Sequence, residues 1–426
     1  MEIHAGGIGL EALRILHVTH QYRPALGGSE QHVIQVSEEL ARRGHRVDVY
    51  TTRSLDYRTW RNELPPREEI AGVSIRRFAS LERGARTYRA LELAYGRYQA
   101  RRSVLYEPLI LWGNGPISLG LFLNVLWRAA EYDVVHVNTL PYAHVWYTAV
   151  AAAARRTSLV ITPFLHIDQA GIFDVACYNA ALCRADVVMA MTNAERDYMV
   201  SRGVDPARIR IGGVGVRPSE LVPVERGCWR SRFGIPVKAF AILFLARRTA
   251  YKGLDMVLEA FSRLRREDGQ SVLVLAGPET EEWEALRERY RNLSGLIDCG
   301  RVSETDKGRL LDACDVLVLP STGESFGIVF VEAWVLGKPV IGARSGAVND
   351  MIAEGEDGLL VAPRDAADLA CKLAILRDQP ELRQYLGENG HRKAMRRYTV
   401  EKVSDDLEAI YRELAASRRR KGGHRR

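Results

Sequence analysis

Short, nearly all-apolar runs recur along this chain, and each leads through a polar loop into a segment of helical period. Residues 13–18 (LRILHV), 133–138 (DVVHVN), 240–246 (FAILFLA) and 315–320 (DVLVLP) are such runs. Strands read this way when helices cover both faces of a parallel sheet. The alternation therefore predicts doubly wound α/β sheets. A length of 426 residues with 47% hydrophobic content predicts two domains with sizeable cores. The break is expected near 216–226, where Pro218 and Pro223 mark an irregular crossover. The expected units are a domain over 1–217, a domain over 218–398, a helix over 399–417 returning to the first domain, and a basic, disordered tail over 418–426.

The loops after these runs carry the chemistry. Glu324 and Glu332 stand eight residues apart with Gly327 between them. A helix closed by Gly337 follows, placing Glu324 in the loop and Glu332 roughly two turns into the helix. The amides of Ser325, Phe326, Gly327 and Ile328 fall at the helix start, where free N–H groups favour an anion. Gly327 admits close approach of a ligand to the backbone. Two carboxylates about 12 Å apart along this axis suit an extended ligand with hydroxyls at both ends and phosphate between them. Read singly, Glu324 is a polar loop residue and Glu332 a solvated helix residue.

Arg247 and Lys252 follow the run 240–246, at the end of a strand where open α/β sheets bind ligands. Arg offers phosphate a fork and Lys a point charge. Of 60 basic residues only eight are Lys, none before Lys238, so Lys252-Gly253 is the sharper signal. Near the amino terminus, Gly27-Gly28 follows the run 13–18. Its amides either cradle phosphate or belong to a plain flexible loop.

Together these residues resemble the retaining glycosyltransferases of the GT-B type, in particular glycosyltransferase family 4. The resemblance covers nearly the whole chain. It rests on Gly27-Gly28-Ser29-Glu30, His166, Arg247 with Lys252-Gly253, Gly300-Arg301-Val302, the stretch 320–332 and Gly337-Lys338-Pro339-Val340, in this order. It implies a GT-B fold, two Rossmann-like domains facing a central cleft. It implies that Glu332 holds the donor ribose and Glu324 the hydroxyls of the transferred sugar. Arg247 and Lys252 would neutralise the diphosphate. Gly27, Gly28 and the amides of Phe326, Gly327 and Ile328 would complete the phosphate cradle. Val302 would meet the base through its backbone, and His166 would lie under the donor sugar; the other reading of His166 is a satisfied core histidine. The chain departs from the family pattern at Ser345 to Asn349 and at Gly213-Val214-Gly215-Val216.

The implied activity is metal-independent transfer of a hexose-type sugar, with retention and front-face attack, from a nucleotide diphosphate sugar to a glycan or lipid-linked acceptor. The alternatives are an epimerase of the same fold, a phosphorylase, or a non-catalytic membrane-surface protein. No Asp-x-Asp or zinc pattern occurs, so no metal or cofactor is expected. The six Cys show no CxxC spacing and the amino terminus no signal-peptide pattern; both point to the cytoplasm. The net charge of +7 comes without a nucleic-acid motif. Residues 83–102 hold six Arg against Glu92, with three Tyr interleaved. They read either as a solvated face or as a basic helix for an anionic membrane surface, which would make the protein peripheral on the inner face. Residues 108–127 carry no charge and read as a buried loop and helix, an interfacial segment or a membrane span.

Overall fold

The computed structural model describes residues 11–25, 27–221 and 226–423. The first domain is built on strands β1 (Arg14–Val18), β2 (Arg46–Thr52), β3 (Arg67–Ile70), β4 (Val73–Phe78), β5 (Val134–Asn138), β6 (Ser158–Thr162), β7 (Val187–Ala190) and β8 (Ile209–Ile211). They form one sheet in the order β3-β4-β2-β1-β5-β6-β7-β8, parallel except for the edge strand β3. The second domain holds β9 (Ala241–Leu245), β10 (Val272–Ala276), β11 (Leu296–Asp298), β12 (Val316–Leu319), β13 (Val340–Ala343) and β14 (Leu359–Val361). Their order is β11-β10-β9-β12-β13-β14, all parallel. Every residue of β5, β6, β10 and β12 is buried, because helices cover both faces.

Both sheets reverse their winding at the centre, between β1 and β5 in one and between β9 and β12 in the other. Open α/β sheets leave a crevice at such switch points, outside the carboxyl ends of the strands.

The chain passes between the domains along two segments that touch. The Val216 amide donates to the Tyr398 carbonyl at 2.8 Å, and the Val400 amide to the Val216 carbonyl at 3.1 Å. A Cβ at Gly215 would stand 2.7 Å from the Val400 Cα, so glycine permits this crossing. Part of the expected crossover, 222–225, lies outside the described residues, as do 1–10.

The last helix, Val400–Gly423, packs against the helix Gly28–Arg42 and against β5 and β6. Tyr411 anchors it: its hydroxyl bonds His136 Nδ1 and, at 3.2 Å, His17 Nε2. The expectation of a disordered tail from 418 is corrected, since the helix runs on to Gly423. Arg418 Nη1 donates to the Tyr132 carbonyl at 2.6 Å, and Arg419 pairs with Glu11, so these arginines extend the helix along the sheet. Residues 424–426 lie outside the described residues.

Residues 108–127 fold as parts of two helices, Glu107–Asn114 and Leu119–Arg128. No single helix among the described residues is long and apolar enough to cross a membrane.

Candidate functional site

The site is built on the two central strands of the second domain. β9 and β12 pair in register, Ile242 with Val316 and Leu243 with Leu317. Their carboxyl ends therefore release two loops side by side. The Thr322 amide donates to the Tyr251 carbonyl at 2.9 Å, which zips those loops together. Gly253 has φ +78°, and a Cβ there would meet the Pro320 carbonyl oxygen at 2.6 Å. Only glycine allows this approach.

The consequence is an ion pair. Lys252 Nζ lies 2.6 Å from Glu324 Oε1, with both side chains largely buried. Arg247 stands on the same loop, exposed and in no ion pair among the described residues. Its neighbour Arg248 is 0% exposed, pairs with Asp298 and sits over Trp283. The two adjacent arginines thus divide into a free cation and a structural pillar.

Gly327 (φ +83°) precedes the helix Ile328–Val335. The amides of Ser325, Phe326, Gly327 and Ile328 find no backbone acceptor among the described residues and fall at the positive end of the helix. Glu332 is corrected from two turns to little more than one turn into this helix, because the helix opens at Ile328 rather than before Gly327. It is 6% exposed, and Lys307 Nζ donates to its Oε1 at 2.6 Å. Burial pushes the Glu332 carboxyl up against the pull of Lys307. Burial also works against the Lys307 ammonium, but the carboxylates of Glu332 and Glu304 overcome it and hold Lys307 charged. Val302 is half-buried in the loop between β11 and the helix Glu304–Ala313 that carries Lys307.

From the first domain, His166 reaches this constellation. His166 follows β6 and is partly buried, its ring 6.3 Å from that of Phe173. Burial pulls its pKa below the ordinary histidine value; Glu324 opposes this, while Lys252 and Arg247 reinforce it. All three charged residues therefore act on one imidazole across the cleft. Glu195 holds the loop before His166, accepting from the Leu165 amide at 2.6 Å and from the Met191 amide at 2.5 Å.

Gly27 and Gly28 open the helix Gly28–Arg42. A Cβ at Gly28 would meet nothing within 4 Å, whereas one at Gly27 would lie 2.0 Å from Glu30 Oε2. Glu30 folds back beneath the loop and pairs with His20 Nε2 at 2.9 Å. Burial works against this carboxylate, but the His20 contact brings Glu30 down to about 2.

Comparison with known proteins fits this geometry. The model for the glycosyl transferase 4-like domain matches residues 27–215, and that for glycosyl transferases group 1 matches residues 226–393. A D-inositol 3-phosphate glycosyltransferase of Saccharomonospora viridis is 30% identical over 415 residues, covering 92% of this chain and 90% of the relative. One from Corynebacterium efficiens is 27% identical, covering 95% of this chain and 96% of the relative. The chain belongs to glycosyltransferase family 4. Among solved structures, sucrose-phosphate synthase from Thermosynechococcus elongatus superposes with a TM-score of 0.71 at 21% identity over 95% of this chain and 100% of its own. Anabaena HepE in complex with UDP and glucose superposes with a TM-score of 0.69 at 18% identity, covering 93% and 99%. The fold of this glycosyltransferase is GT-B.

Three residues that support this arrangement in the glycosyltransferase escape sequence reading: Lys307, Glu195 and Arg248. The scarcity of lysine that distinguishes Lys252 also holds for Lys307, since only eight Lys occur. Glu195 carries no such signal, because its contacts are to backbone amides brought near by folding. His136, inside β5, is bonded to Tyr411 and to Thr162 and is structural. At the departures from the family pattern, Ser345 Oγ caps the Ser321 carbonyl at 2.8 Å, and Gly213 packs against Tyr398 and Phe326.

Proposed function

We propose that this glycosyltransferase moves a hexose-type sugar from a nucleotide diphosphate sugar to an acceptor hydroxyl held by the first domain, with retention and without a metal. The observation that carries the reading is the Lys252–Glu324 pair beside Arg247 and the open helix start at Gly327. Lys252 and Arg247 are the cations available to a diphosphate, and helix amides add partial positive charge. Such groups act most where charge grows as the glycosidic bond breaks. Glu324 takes the hydroxyls of the sugar and Glu332 those of the ribose. Gly28 offers an open backbone to the phosphates, and Val302 borders the base. That a solved structural neighbour, HepE, is described with UDP and glucose supports a nucleotide-sugar donor.

In the front-face reaction the anomeric carbon–oxygen bond breaks towards the nucleoside diphosphate. The acceptor oxygen bonds the same face of that carbon, and its proton passes to the leaving diphosphate. His166, kept neutral by burial, lines the sugar and does not compete with Lys252 for the phosphates. Closure of the cleft excludes water. The acceptor is a glycan precursor or a lipid-linked one, met in the cytoplasm at the inner face of the membrane.

The test is a panel of uridine, guanosine and adenosine diphosphate sugars, followed by binding and by slow hydrolysis. One donor binds and turns over in the wild type, and Lys252→Ala and Glu324→Ala lose turnover. Binding of no nucleotide sugar at millimolar concentration overturns the reading, and a trapped glycosyl-enzyme adduct overturns the front-face step.

A further inference from the structure

Exposed apolar side chains gather on neighbouring helices of the first domain. The helices Glu107–Asn114 and Leu119–Arg128 belong to a pair of apolar segments bent by 102°, a geometry that does not make one straight span. Leu105 is 83% exposed, Leu119 69%, Trp127 64% and Trp112 42%. Trp112 and Trp146 line, with Val104, Leu111 and Ile117, one concavity of about 490 Å³. Exposed apolar surface of this kind marks an interaction site, and Trp favours the boundary between hydrocarbon and water.

The adjoining helix, Ala85–Arg101, packs along Glu107–Asn114. It exposes Arg86, Arg89, Arg97 and Arg101, none of them in an ion pair among the described residues. Charge selects the occupant. In a self-complementary contact with a second copy, each copy's arginines, which outnumber Glu92 on the same helix, would border the same interface. A neutral surface would leave them unused. We propose that this face docks on an anionic lipid bilayer, with the tryptophans and leucines seated in the interface and the arginines on the headgroups. The proposal deepens the transferase reading, because it places the enzyme where a lipid-linked acceptor resides. The surface argument itself uses no residue of the donor site.

The experiment is sedimentation of the full chain with vesicles of phosphatidylcholine, alone or mixed with phosphatidylglycerol, without nucleotide. Binding is expected to be about tenfold tighter or more on the mixed vesicles and to weaken with salt. Arg89→Glu with Arg97→Glu, and separately Trp112→Ser with Trp146→Ser, should each reduce it about tenfold. These exposed changes should leave circular dichroism and donor binding unaltered. Equal binding to both vesicles, no binding to either, or binding that both double variants retain overturns the proposal. A concentration-dependent dimer that Trp112→Arg dissociates assigns the face to a second copy instead. Vesicle binding by a protein that binds no nucleotide sugar would leave this surface standing and remove the transferase reading.

Discussion

Lys252 Nζ and Glu324 Oε1 lie 2.6 Å apart, although 72 residues separate them in the chain. The contact ties the loop after β9 to the loop after β12. Each charge satisfies the other in a partly dry setting. Under the proposed function, a diphosphate would compete for the lysine and free the carboxylate for sugar hydroxyls. Lys252→Met and Glu324→Gln should therefore each lower kcat by about 10²-fold or more, consistent with loss of one preorganised electrostatic group. Steady-state kinetics on the donor found in the panel checks this. Unchanged kcat in both variants removes these residues from the chemistry.

Glu332 and Lys307 should separate binding from turnover. Glu332→Ala is expected to raise the donor KM about tenfold with little change in kcat, because the proposed ribose contact would be made equally in ground and transition states. Lys307→Met leaves a buried carboxylate without its partner, and a loss of about 3 kcal/mol of stability is expected. Denaturant titration beside kinetics reads both effects.

The paired glycines give a contrast. Gly27→Ala drives a methyl into Glu30 and should break the His20 contact, lowering both stability and activity. Gly28→Ala meets no atom within 4 Å beyond its chain neighbours and its own helix backbone, and should fold with unchanged melting temperature. Weaker binding of nucleoside diphosphate by Gly28→Ala would mark it as a ligand glycine; calorimetry decides.

Burial raises the Glu195 carboxyl to about 7, with the Leu165 and Met191 amides opposing the shift. An acid raised on folding costs stability as pH rises from its unfolded value to its folded value. The Glu195 contribution should therefore be intact below about pH 4.5 and fall by roughly 3 kcal/mol by pH 7 to 8. Glu195→Gln lacks this titration but mispairs one amide. Its stability deficit should shrink as pH rises, measured by urea unfolding across pH 5 to 8. A constant deficit argues against the shift.

Tyr411→Phe removes the hydroxyl that His136 and His17 share. A buried polar group left unpaired costs about 1–3 kcal/mol. Thermal unfolding should shift downward while donor affinity stays unchanged, since the network is buried between the first domain's sheet and the last helix.

Much of this protein was legible in its sequence because two local signals are strong. Apolar runs such as 240–246 and 315–320, each leading through a polar loop into a helical period, mark buried parallel strands. Glycine and charge at strand ends then point to candidate ligand loops, which is why Arg247, Lys252, Glu324, Gly327 and Glu332 stand out as candidates in the chain alone. Helix ends were less legible. The start at Ile328 depends on Gly327 adopting φ +83°, and the extension to Gly423 depends on carbonyls and carboxylates of the first domain that meet Arg418 and Arg419. Only tertiary structure decided the pairings: Lys252 with Glu324, Lys307 with Glu332, Glu195 with the loop of His166. Each joins segments distant in sequence, and strand order, rather than any local preference, brings them within hydrogen-bond reach. The placement of adjacent Arg247 and Arg248 was decided the same way, because burial against Trp283 and Asp298 takes Arg248 inside and leaves Arg247 exposed.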